Sequence, residues 1–250
     1  MDPLFEFLVR TGDSTLVLGH RISEWCGLAP ALEEDIALAN IALDLIGQTQ
    51  MWLGFAAEVE GEGRSADDLA MLRDAIDFRN LLLVERPNVD FGHTLMRQFL
   101  FDTYHLALLS RLQESSQERV AEIAAKSIKE VQYHFTRSSE IVTALGDGTQ
   151  ESDDMMQAAL DALWPYVGEM YLDDDMDRAV AAAGIGPLPS SLRAACFAKY
   201  NAVLGEASLA IPQSDFAHKG GKNGFRHSEH LGHMLTHMQH LQRAYPGLSW

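Results

Sequence analysis

Apolar residues recur at steps of three and four along most of this chain, which is the period of helices with one buried face. Breakers interrupt that pattern at Gly12, Ala29-Pro30, Gly61-Glu62-Gly63, Pro87-Asn88, Gly146-Asp147-Gly148, Gly184 to Pro189 and Gly220-Gly221. Between them the spacing predicts four long helices, over about 14–27, 31–60, 90–114 and 117–145. Asp13 or Ser14 can cap the first, and Ser115 or Ser116 the fourth. The last two long helices are separated by a very short link, so they are expected to be antiparallel neighbours. About thirty residues separate the second from the third, with room for a short helix near 66–75; four-helix bundles use long crossovers of this kind. Shorter helices follow near 151–163, 173–183, 188–205 and 227–244. No run alternates with the period of a strand. The expectation is an all-α chain in one domain over 1–250, with a bundle core at about 14–145 and additional helices at about 151–245.

The inner faces carry chemistry at one level. The ladders read Val17, His20, Glu24, Gly27 on the first helix and Leu38, Ile41, Leu45, Gln48, Trp52, Phe55 on the second. They read Leu95, Gln98, Asp102, Leu106, Leu109, Leu112 on the third and Val120, Ala124, Ser127, Val131, His134, Ser138 on the fourth. Glu24, Gln48, Asp102 and His134 each interrupt an apolar ladder, and a buried polar group needs a cause. A di-iron carboxylate site in a bundle would supply one: an acid from each of two helices and a Glu-x-x-His pair from each of the other two. No Glu-x-x-His occurs in this chain. Asp-x-x-His occurs at Asp90/His93, Asp102/His105 and Asp215/His218. Chance alone yields about one acid-x-x-His at this composition, so three carry little weight.

The strings RISEWCGLAPALEEDIALANIALDLIGQ (21–48), NLLLVERPN (80–88), RQFLFD (97–102), AKSIKEVQYH (125–134) and LGDGT (145–149), and the tail pieces GGKNGFRHSEHLG and MQHLQRAYPG, resemble the C-type family of subunits of the bacterial phenylacetyl-CoA ring epoxidase from end to end. The resemblance implies a ferritin-like four-helix bundle with a long crossover and extra C-terminal helices. It implies a structural role beside a related, A-type catalytic subunit that carries the di-iron centre, in an O2- and NADPH-dependent complex that converts the ring to a 1,2-epoxide. On that pattern Glu24 and Asp102 stand where the metal-binding acids would. Leu45 and Val131 replace both bridging glutamates, and Gln48 replaces one histidine while His134 keeps the other. Two ferrous ions bring four positive charges, and without them four buried carboxylates would repel and protonate. No metal and no other cofactor is therefore expected in this chain; Glu24, Gln48, Asp102 and His134 are expected as a closed polar cluster. The resemblance also places Asp77, Phe78, Arg79 and Asn80, with Arg178, Ala179 and Val180, near bound CoA ester, although Arg79 stands where a small polar residue is usual. The alternatives are an active iron oxygenase using Glu24, Asp102, His105 and His134, and a metal-binding module built on the C-terminal histidines.

Charge and composition narrow the partners. A net charge of −17 repels nucleic acid and anionic membranes. No apolar run is long enough to span a bilayer, and the start of the chain has no secretory pattern. The expectation is a cytoplasmic protein, with Cys26 and Cys196 as buried thiols. Its partners would be the catalytic subunit and other components including a reductase, with a homodimer when isolated. His227, His230, His233, His237 and His240 crowd the last helix, where i, i+4 pairs could chelate zinc or nickel; a wet or partner-facing surface is the ordinary reading. Lys219 to Arg226 is a basic loop without the spacing of a phosphate-binding loop. Asp173, Asp174, Asp175 and Asp177 lack calcium-loop spacing and read as a solvated helix start.

Overall fold

The computed structural model describes residues 2–214 and 216–248, and among these the regular structure is helical, with no strand. Asp215, and with it the Asp215/His218 spacing, lies outside the described residues. The chain forms two compact units, 1–87 together with 219–250, and 88–218.

The first unit is built on α1 (Pro3–Ser23) and α2 (Leu32–Glu60), which pack along one another. Thr15 opposes Thr49, with hydroxyls 2.8 Å apart, while Gly12 meets Trp52 and Leu53, and Gly19 meets Leu45 and Ile46; this pairing is antiparallel. The glycines permit it: a Cβ at Gly12 would lie 2.6 Å from Leu53 Cδ2, and one at Gly19 would lie 3.2 Å from Ile46 Cγ1. Gly12 therefore sits inside a helix and does not break it. Asp13 and Ser14 are interior to α1 rather than its caps; Asp2 caps the helix and Pro3 opens it. The crossover holds α3 (Ala66–Met71), with a Ser65/Asp68 capping box, and a short 3-10 turn at Ala75–Asp77. The tail adds α9 (Glu229–Met238) and α10 (His240–Ala244).

The second unit is built on α4 (Phe91–Leu112) and α5 (Glu118–Gly146), joined by a short link and packed together. Ser115 and Ser116 do not cap α5: their hydroxyls donate to the carbonyls of Ile185 and Ala183. Helices α6 (Gln150–Leu163), α7 (Asp175–Ala182) and α8 (Pro189–Glu206) follow; α6 and α8 pack on α4 and α5. Tyr200 of α8 donates to Leu100 O at 2.7 Å, and its hydroxyl lies 2.9 Å from that of Tyr171. With the Tyr200 proton committed to the carbonyl, Tyr171 donates to Tyr200. Cys196 is buried beside Thr103, whereas Cys26 is exposed, contrary to the expectation of two buried thiols.

Candidate functional site

The polar residues of the inner ladders divide between the two units. In the second unit α4 and α5 bring Gln98, Asp102, His105, Ser127, His134 and Ser138 to buried positions. Asp102 is the centre of hydrogen bonding: Gln98 Nε2 donates to Oδ1 at 2.6 Å, one turn earlier on α4, and Ser138 Oγ of α5 donates to Oδ2 at 2.9 Å. Burial pushes the Asp102 carboxyl up to about 7, against the opposing pull of His134, Ser138 and Gln98. His105 lies one turn nearer the C-terminus of α4, its ring 5.0 Å from that of Phe101. Among the described residues neither of its ring nitrogens has a hydrogen-bond partner. Burial, with the charge of His134 adding to it, holds the His105 imidazole down to about 3, so it is neutral at ordinary pH. Val131 is fully buried on α5 and offers no donor atom.

In the first unit Leu45 and Gln48 are fully buried on α2. Glu24 departs from expectation. It follows the last residue of α1 as its C-cap, its side chain is 43% exposed, and it accepts from Arg21 Nη1 at 2.7 Å. The adjacent guanidinium holds this carboxylate at the surface.

The other predicted positions hold the structure of their own units together. Asp90 caps α4, with Oδ1 accepting from the His93 backbone at 2.8 Å, so the Asp90/His93 spacing is a helix start. Phe78 is buried under the Arg73 guanidinium, 4.5 Å from its ring centre. Asn80 is buried, and its amide donates to Leu81 O and Glu85 Oε2. Arg79 Nη1 donates to the carbonyls of Ile76 and Phe78, and Asp77 closes a capping box with Asp74. In the second unit Arg178 is exposed and pairs with Asp175 at 2.6 Å, beside Ala179 and the buried Val180. Asp174 and Asp177 form the α7 capping box and Asp173 binds Ser190, the helix start expected of that acidic run.

The C-terminal histidines do not share one helix. Gln239 is buried between α9 and α10 and donates to the carbonyls of Ala70 and Arg73, which separates His240 from His230, His233 and His237. His227 is engaged elsewhere. No group of three His, Cys, Asp or Glu side chains gathers as a metal-ion site among the described residues.

Two buried clusters in the first unit escaped the sequence reading. Asp13, fully buried on α1, is bound by both terminal nitrogens of Arg73 and accepts from the Arg79 backbone at 2.8 Å. Glu85, also fully buried, accepts from Ser228 N at 2.6 Å and faces His227 Nδ1 at 3.0 Å, while His227 Nε2 lies 3.0 Å from Phe78 O. A carbonyl only accepts, so Nε2 carries a proton. These contacts clasp the tail to the crossover. The only local signal was an acid, Glu85, directly after the apolar run Leu81 to Val84; its partners His227 and Ser228 stand more than a hundred residues away.

The family described as "Phenylacetic acid catabolic protein" matches this chain over residues 1–250. The chain belongs to that family. It is 47% identical, over all 250 residues and the whole of the relative, to a protein of Escherichia coli (strain K12) named as the C-type subunit of 1,2-phenylacetyl-CoA epoxidase. The all-α architecture, with long helix pairs on either side of a crossover, is that of a ferritin-like protein. No helix among the described residues is long and apolar enough to cross a membrane.

A di-iron centre, which such folds often hold, can be tested against these residues. Leu45 and Val131 are aliphatic where the family resemblance puts bridging carboxylates, Glu24 is at the surface, and both oxygens of Asp102 already accept hydrogen bonds. The donor set does not fit two irons.

Proposed function

We propose that this chain is a non-catalytic structural subunit of a cytoplasmic phenylacetyl-CoA epoxidase complex, scaffolding a related di-iron catalytic subunit. What carries the reading is the pair Leu45 and Val131: fully buried, apolar, and standing at the positions the resemblance assigns to the metal bridges. The full-length similarity to a protein named as the C-type subunit of that epoxidase supports the complex and its substrate. Asp102 supports the non-catalytic role, because its hydrogen bonds from Gln98 and Ser138 stabilise a core rather than leave an open coordination position. Iron would belong to the catalytic subunit, and a reductase would deliver electrons to it. The C-terminal histidines would be a wet surface.

The test is reconstitution. Purified chain alone, given phenylacetyl-CoA, O2, NADPH and reductase, forms no epoxide and binds no stoichiometric iron. Addition of the catalytic subunit gives turnover, and omission of this chain lowers both the turnover and the melting temperature of that subunit. Turnover by this chain alone, or near two irons per monomer, overturns the reading.

A further inference from the structure

Helix α2 is apolar on two sides. One side packs on α1. On the other, Ile36, Ala39 and Leu43 step by three and four, the spacing of a seam between paired helices, and the row ends at Ile46, which also meets Gly19 of α1. Leu32 extends the seam by one turn and Leu28 continues it into the preceding loop. Leu28 is 72% exposed, Leu32 70%, Ile36 53% and Leu43 66%. From Leu32 to Ile46 this stripe runs about 21 Å at 1.5 Å per residue, and a contiguous exposed apolar surface marks an interaction site.

The charges beside the stripe decide what covers it. Glu33, Glu34, Asp35, Asp44, Glu58 and Glu60 are the only charged residues between Leu32 and Glu60, and that span holds no Lys, Arg or His. Glu33 falls along one edge of the stripe on the helical wheel, and Asp35 along the other. A second copy of this face would set carboxylates against carboxylates, in a chain already at −17. We infer that this face of α2 docks an apolar-faced helix of the catalytic subunit whose flanking positions carry Lys or Arg. The inference rests on the scaffold reading and adds to it the surface and the chemistry of the partner.

Co-purification with tagged catalytic subunit tests it. Ile36→Glu/Leu43→Glu is expected to lower recovery of this chain at least tenfold, with helical circular dichroism and cooperative melting retained. Leu72→Glu/Ile76→Glu, at apolar positions that are 51% and 63% exposed in the same unit, is expected to leave recovery unchanged. Glu33→Lys leaves the apolar seam intact and is expected to weaken capture at least threefold at low salt. Full capture of the stripe variant beside full capture of wild type overturns the docking surface and leaves the scaffold reading standing. Equal loss in the Leu72/Ile76 variant, or charge reversal without effect, also overturns the surface. Wild-type chain that captures no catalytic subunit overturns both. A homodimer dissociated by the stripe variant assigns the face to a second copy and overturns the partner named here.

Discussion

Asp102 and His105 are three positions apart on α4, both buried, and both are pushed toward their neutral forms. Their effects on stability run in opposite directions. The unfolded chain releases the Asp102 proton near the ordinary carboxylate value, while the folded chain holds it to about 7. Stability from this group therefore falls as pH rises through that window, by roughly 4 kcal/mol at 1.36 kcal/mol per pH unit. The unfolded chain takes up the His105 proton below 6.5, and the folded chain does so only near 3, so stability from His105 falls as pH falls. Between about pH 4 and 6.5 the two slopes offset each other. Asp102→Asn removes one of them: its amide oxygen can accept from Gln98 and its nitrogen can donate to Ser138. Urea unfolding should show the variant's advantage over wild type growing from about pH 4 to 7 and constant above; an advantage independent of pH would contradict a buried neutral carboxyl. Asp13 is held by a buried guanidinium. Asp13→Ala leaves Arg73 buried without its carboxylate and is expected to cost about 3–5 kcal/mol, read from the denaturant midpoint at pH 7.

At the scale of elements, the α1–α2 seam separates two kinds of glycine on packed helices. Gly12 has no room for a Cβ, whereas nothing lies within 4 Å of a Cβ at Gly47. Gly47→Ala should therefore raise stability by about 0.5–1 kcal/mol, the helix-propensity gain alone. Gly12→Ala should lower the melting temperature despite the same gain, because the Leu53 side chain must move. Stabilisation by both would mean that the helices are not in close contact. The same seam shows what the sequence could convey. Periodicity located α2, α4 and α5 to within two residues, because long amphipathic runs state their own period. It misplaced the start of α1, since Gly12, Asp13 and Ser14 carry the local signature of a turn. Their true partners, Leu53 on α2, Arg73 after α3 and Leu81 in the crossover, lie tens of residues away. The tail helix was read as continuous for the same reason: Gln239 breaks it by binding carbonyls of Ala70 and Arg73. In the candidate site, the ladders located Gln98, Asp102, His134 and Ser138 by spacing. The exposure of Glu24, at the end of α1, was not legible in its ladder, because helix ends are set by caps and tertiary contacts rather than by period.

At the scale of the whole molecule, the net charge of −17 acts on folding and on association with opposite sign. Like charges crowded on a folded chain repel one another, so the isolated protein is destabilised at low ionic strength and recovers as salt screens it. Docking of the acid-flanked α2 face on a basic-flanked helix depends on attraction between unlike charges, which the same salt weakens. Raising NaCl from about 20 mM to 500 mM shortens the screening length from roughly 20 Å to about 4 Å. The melting temperature of the isolated chain should then rise. The rate of association with the catalytic subunit should fall by at least tenfold, with a smaller change in dissociation, because charges beside an apolar seam steer encounter more than they hold the complex. Stopped-flow association at several salt concentrations, beside thermal melts of the chain alone, measures both. A melting temperature that falls with salt would mean that specific ion pairs such as Arg73–Asp13, rather than surface repulsion, dominate the chain's response. An association rate insensitive to salt would mean that the carboxylates bordering the stripe meet no cations, which removes the electrostatic argument for a basic-flanked partner and leaves the apolar seam alone to determine the fit.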